Sequence, residues 1–108
     1  MTPFTEKVIA ILKKVPQGKV ATYGQIAYLS GNRRAARHIS RILYSMSERH
    51  QLPWHRIINA QGKIVSPNSE NQIKLLMAEG VAVNENNHVD LKIHQWQPDD
   101  TFAEWMEG

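Results

Sequence analysis

Thr22-Tyr23-Gly24-Gln25-Ile26-Ala27-Tyr28-Leu29-Ser30-Gly31-Asn32-Arg33-Arg34-Ala35-Ala36-Arg37 is the stretch that decides the fold. Thr22 with Gln25 three residues later is the capping-box pattern, in which each side chain satisfies an orphan N–H of the other's backbone. A short helix follows, with Ile26, Ala27 and Leu29 apolar. Ser30-Gly31 closes it, because glycine tolerates the left-handed C-terminal conformation. Asn32 is then placed to cap a second helix, roughly 33–46. Ala35, Ile39, Ile42, Leu43 and Met46 make its apolar stripe, and Arg34, Arg37 and Arg41, at i, i+3 and i+7, make a basic face. A capped helix, a tight turn and a second helix with a cationic outer face read as a helix-turn-helix.

Outward from this unit, Thr2-Pro3 starts an amphipathic helix over 3–15, with Phe4, Val8, Ile11, Leu12 and Val15 at helical spacing. Past Pro53-Trp54, the residues 56–58, 59–62 and 63–65 read as a β-hairpin closed by Gly62, the wing of a winged helix. Ser69-Glu70-Asn71-Gln72 repeats the capping-box pattern before a helix carrying Ile73, Leu76 and Met77 and ending at Glu79-Gly80. Residues 81–83 and 88–91 suggest a second small hairpin. The tail from Ile93 is acidic and carries Trp96, Phe102 and Trp105, and its order is left open. The expectation is one domain over residues 1–108, mainly α with small β-hairpins.

Charge separates the two halves. Residues 1–63 carry eleven Lys/Arg against Glu6 and Glu48, a net of +9, whereas residues 64–108 have a net of −6. All six arginines fall between 33 and 56, where Glu48 is the only acid. Guanidinium suits phosphate and base edges, so the bias points to a polyanion, most simply nucleic acid. The chain has no cysteine, which removes disulfides, thiolate metal sites and thiol nucleophiles together. The five histidines lack metal-site spacing, so neither a metal nor a cofactor is expected. No apolar run approaches membrane-spanning length and no signal-peptide pattern opens the chain. A monomer without membrane contact is expected, intracellular, cytoplasmic and associated with DNA.

Four blocks carry a resemblance. Residues 22–27, residues 31–37, Pro53-Trp54-His55-Arg56-Ile57 and Ala78-Glu79-Gly80 resemble, in order and spacing, the DNA-binding domain of the O6-alkylguanine-DNA alkyltransferases. The resemblance covers residues 4–83, without the separate N-terminal domain of the full transferases. It implies a winged helix-turn-helix of their C-terminal DNA-binding domain type. That family's signature is Pro-Cys-His-Arg, and its cysteine accepts the alkyl group. Trp54 stands at that position here, as in the alkyltransferase-like branch. Indole is a weak nucleophile with no easily removed proton, so a non-enzymatic role is expected.

The resemblance further implies how individual residues act. Arg37 would enter the base stack, Tyr23 would crowd the target phosphate, and the helix 33–46 would lie in the minor groove. Arg33, Arg34, Ala35, Ala36 and Arg41 would complete the DNA contact. Trp54, Tyr23, Ile57 and the loop Val65, Ser66, Pro67 and Asn68 would form the lesion pocket. His55 and Glu79 match the relay that deprotonates the family's cysteine, which has no catalytic task here. Ser45-Met46 replaces a family asparagine, and Pro67-Asn68-Ser69 replaces the family's Tyr-Ser-Gly, which suggests a reshaped pocket. The implied partner is double-stranded DNA containing O6-alkylguanine, with nucleotide excision repair proteins recruited afterwards. Two readings compete. One is a winged-helix transcription regulator reading the major groove, and the other is a repair methyltransferase using another nucleophile.

Overall fold

The computed structural model describes residues 1–98. Its elements are α1 (Pro3–Leu12), β1 (Ala21–Thr22), α2 (Tyr23–Leu29), α3 (Ala36–His50), a 3-10 turn (Trp54–Arg56), β2 (Ile57–Ile58), α4 (Ser69–Ala78) and α5 (Leu91–His94). The expected mainly helical class holds. No helix among the described residues is long and apolar enough to cross a membrane.

Local signals placed the first helices well. The Thr2 hydroxyl accepts from the Thr5 N–H, and Pro3 occupies the first turn, where its missing N–H costs nothing. The Thr22–Gln25 capping box forms in full, with the Thr22 side chain accepting from Gln25 N and the Gln25 side chain accepting from Thr22 N. Gly31 takes φ +93° just past α2. Leu12, Ile26, Ile39 and Ile57 are the largest side chains sealed in the core that α1, α2 and α3 share.

The second helix of the unit begins later than its sequence suggests. Residues 32–35 form a turn closed by Ala35 N–H donating to Asn32 O, and the Asn32 side chain accepts from Arg34 N within it. Arg33 and Arg34 therefore ride on the turn, not on α3. The helical stripe facing outward is Arg37, Arg41, Tyr44 and Glu48, at i, i+4, i+7 and i+11.

The wing differs more. Residues 56–65 do not fold back on themselves. Ile57 and Ile58 pair in parallel with Ala21 and Thr22, and all four residues are buried. A run sealed on both faces suits a parallel strand between helices better than a half-solvated hairpin. The turn at 59–62 does form, with Gly62 N donating to Asn59 O. Beyond it the chain joins a distant partner: Val89 N donates to Gly62 O, Ile64 N donates to Asn87 O, and Lys63 bridges His88 antiparallel. The second expected hairpin is thereby corrected too, since residues 88–89 pair with 62–64 rather than with 81–83. Val20, Ile58, Ile64, Leu76, Val81 and Val89 form a second apolar cluster beneath this crossing.

Gly62 sits where these two segments meet. Its φ is +79°, and a Cβ there would lie 2.5 Å from the Val89 carbonyl oxygen. Gly62→Ala is expected to lower stability by about 1–3 kcal/mol through backbone strain and the lost pairing, read as a reduced urea midpoint.

The chain after α5 docks on the helix-turn-helix. Val20 N donates to His94 O and Trp96 N donates to Val20 O. The buried Gln25 amide donates to Trp96 O at 2.7 Å, and its oxygen accepts from Gln95 Nε2 at 2.9 Å. Part of the acidic tail thus packs back, with Trp96 against the first core. Phe102 and Trp105 lie outside the described residues.

Candidate nucleic-acid interface

Two cavities open side by side along α3. The smaller, about 410 Å³, is bounded by Arg37, Ser40, residues 57–59 and the loop 63–67. The larger, about 780 Å³, is bounded by Trp54, the C-terminal half of α3 and residues 66–68. They share Tyr23, Ser40, Ser66, Pro67 and Gln72 as a common wall. All seven residues that the resemblance assigned to a pocket line one cavity or both. Ile57 and Val65 belong to the smaller, Trp54 and Asn68 to the larger, and Tyr23, Ser66 and Pro67 to the two together.

Trp54 is half-buried. It leans on the α1–α3 core and meets the His55 ring edge-on, with centroids 6.1 Å apart and planes at 82°. Its position follows from the break at Pro53, which ends the segment after α3 and starts the 3-10 turn. Tyr23 begins α2 and also leans on that core. Burial pushes its phenol above the ordinary 10.0, so the hydroxyl stays a neutral donor beside both cavities.

Gln72 is the member that sequence reasoning missed. Its pattern suggested a cap for α4, but that capping box does not form: Asn68 is the cap residue, and its side chain makes no cap hydrogen bond. Gln72 is buried instead and turns toward the 3-10 segment. Its Nε2 donates to His55 O at 3.1 Å and Ile57 O at 3.2 Å, while its oxygen accepts from Ser66 Oγ at 2.9 Å. One side chain thereby fixes the loop 65–68 against the segment carrying Trp54. No signal within the heptad around Gln72 distinguishes this role from capping.

Beneath the pocket lies a charged clamp. Arg56 donates twice to Glu79, Nε to Oε1 at 3.0 Å and Nη2 to Oε2 at 2.7 Å, and its Nη1 donates to Val15 O at 2.9 Å. His55 Nε2 donates to Glu79 Oε2 at 2.9 Å. The Arg56 hydrogen bonds foremost, aided by His55, hold the Glu79 carboxyl at about 2. His55 and Glu79 do meet, as the resemblance implied. The fork geometry with Arg56 makes the trio a tie between the 3-10 turn, the C-cap of α4 and the segment that follows α1.

The cations are displayed outward. Arg34, Arg37 and Arg41 are exposed, and among the described residues no carboxylate pairs with them. The Arg33 guanidinium lies 5.7 Å from the Tyr28 ring centroid, a cation–π distance. Ala35 is buried at 7% exposure, so Ala36 is the small residue beside Arg37 at the surface. Among the described residues no cluster of His, Asp and Glu could hold a metal ion.

Residues 3–81 match the family described as 6-O-methylguanine DNA methyltransferase, DNA binding domain. A DNA base-flipping protein of Vibrio parahaemolyticus is 39% identical over 100 residues, covering 91% of this chain and 100% of that protein. The crystal structure of S. pombe Atl1 in complex with damaged DNA containing O6-carboxymethylguanine superposes with a TM-score of 0.82 at 30% identity, covering 91% of this chain and 98% of that one. The Mycobacterium tuberculosis O6-methylguanine methyltransferase superposes with a TM-score of 0.60 at 26% identity, covering 86% of this chain and 55% of that one.

Proposed function

The chain belongs to the 6-O-methylguanine DNA methyltransferase DNA-binding family, and from that membership we propose that it captures O6-alkylguanine in duplex DNA without repairing it. One observation carries the reading: in a chain without cysteine a half-buried indole, Trp54, walls a cavity that shares Tyr23 and Ser40 with the cavity lined by exposed Arg37. Transfer to a thiol is impossible here, and the indole offers a face for stacking. The relatives that bind damaged DNA or are named for base flipping support the same reading.

In this reading α2, the turn and α3 engage the duplex from the minor groove. Arg37 enters the stack, and Tyr23, at the junction of the two cavities, crowds the phosphate of the target nucleotide. Extrusion costs a few kcal/mol, less for a base that pairs badly. Stacking on an aromatic returns on the order of 1–3 kcal/mol. The alkylated base then rests between Trp54 and the loop 66–68, and the complex persists as a mark that recruits nucleotide excision repair. The Arg56–Glu79–His55 clamp holds the pocket wall and moves no proton.

Paired oligonucleotides with and without O6-methylguanine test this directly. The modified duplex is expected to bind more tightly, and intact-mass measurement is expected to find no methyl on the protein. Equal binding, or a methylated protein with a repaired base, would overturn the reading. A sequence preference indifferent to alkylation would favour a transcription regulator instead. Each neutralised phosphate contributes about −0.9 to the slope of log K against log salt. Arg34→Ala and Arg41→Ala are expected to weaken both duplexes alike and each flatten that slope by about one such contribution. Arg37→Ala is expected to reduce the preference for the modified duplex, a change visible as a ratio of two Kd values.

A further inference from the structure

We propose that Glu48 makes the larger cavity selective for the charge of the O6 substituent, admitting neutral hydrogen-bond donors and cations and disfavouring carboxylates. The inference rests on the lesion-binding reading above and concerns which adducts the site takes.

The two cavities share a wall but differ in charge. Among the described residues, Arg37 and Lys63 are the charged residues of the smaller one, which makes that lining cationic. Among the described residues, Glu48 is the one charged residue lining the larger. It is also the only acid between residues 33 and 56, and among the described residues no cation pairs with it. Helical spacing brings it to the cavity: Ser40, Tyr44, Ser47 and Glu48 lie on the face of α3 that borders the space, and Gln51 follows at the C-cap. The cavity is also lined by Trp54, the proposed stacking platform, so a substituent on the stacked base would occupy a space that Glu48 borders. About 780 Å³ is ample for a base with a substituent larger than methyl.

An ionised carboxylate only accepts hydrogen bonds. A substituent with N–H or O–H donors can satisfy it, an ammonium gains further, and a second carboxylate is repelled. Across a partly hydrated cleft such repulsion amounts to about three- to tenfold in affinity. An exposed glutamate could instead merely solvate its helix. In that case its removal would shift every duplex equally, because all duplexes present the same phosphates.

The test uses duplexes identical except for the substituent on one guanine O6: carboxymethyl, its neutral isostere carbamoylmethyl, 2-aminoethyl, and none. Carbamoylmethyl is expected to bind about three- to tenfold more tightly than carboxymethyl, and 2-aminoethyl at least as tightly as carbamoylmethyl. Glu48→Gln is expected to abolish the difference and Glu48→Lys to invert it. The site is exposed, so neither change disturbs packing. Tighter binding of the modified duplexes with a carboxylate ratio unmoved by either substitution would overturn the charge assignment alone. No advantage of any modified duplex over unmodified DNA would overturn the lesion reading and this inference together.

Discussion

Trp54→Ala is expected to bind duplexes with and without O6-methylguanine almost equally. Among the described residues, the indole provides the largest aromatic surface on the larger cavity, and no other tryptophan lines it. Losing a stacking partner worth on the order of 1–3 kcal/mol removes about a five- to hundredfold preference. Affinity for unmodified duplex is expected to change little, because the exposed arginines proposed to meet phosphate remain. Trp54 also leans on the core, so the truncated protein is expected to lose some stability. Trp54→Phe separates the two effects: it retains a stacking face and most of the packing, and is expected to keep much of the preference. A Trp54→Ala protein that still prefers the alkylated duplex as strongly as the parent would remove the indole from the mechanism.

Glu79→Gln is expected to be the most damaging isosteric change to the fold. The carboxylate and the Arg56 guanidinium it binds are 10% and 18% exposed, and the amide that replaces it cannot answer the fork with charge. The pH dependence follows from linkage. The folded-state value lies at about 2, below the ordinary 4.5. A depressed carboxyl contributes stability in full above the unfolded value and loses it as pH falls through the folded one. The parent is therefore expected to lose on the order of 2–3 kcal/mol between about pH 5 and pH 2, and Glu79→Gln to lack that increment at neutral pH and vary less in acid. Urea unfolding at several pH values reads both quantities. Parallel curves for parent and variant would show that the clamp contributes no net stability.

Which parts of this were legible beforehand depended on how local their cause was. The Thr22–Gln25 box and the Gly31 terminus needed only a few neighbouring residues, and they formed as read. The apolar stripe from Ile39 to Met46 needed only helical spacing. The Ser69–Gln72 pattern was equally local, yet Gln72 turned to the carbonyls of His55 and Ile57. Two carbonyl acceptors of a distant segment outweighed a solvent-accessible helix end. The start of α3 slipped from 33 to 36 because the Asn32 turn satisfies Arg34 and Ala35 N–H first.

By itself, then, the sequence determined the helical unit, the cationic surface and the loss of thiol chemistry, since these follow from short-range spacing, residue type and the plain absence of cysteine. Tertiary structure alone decided that Ile57-Ile58 lies parallel to Ala21-Thr22, that Gly62 meets Val89, and that Glu48 borders the same cavity as Trp54. Those pairings join segments far apart in the chain. Their partners are chosen by which surfaces can be buried together, and no local periodicity encodes that choice.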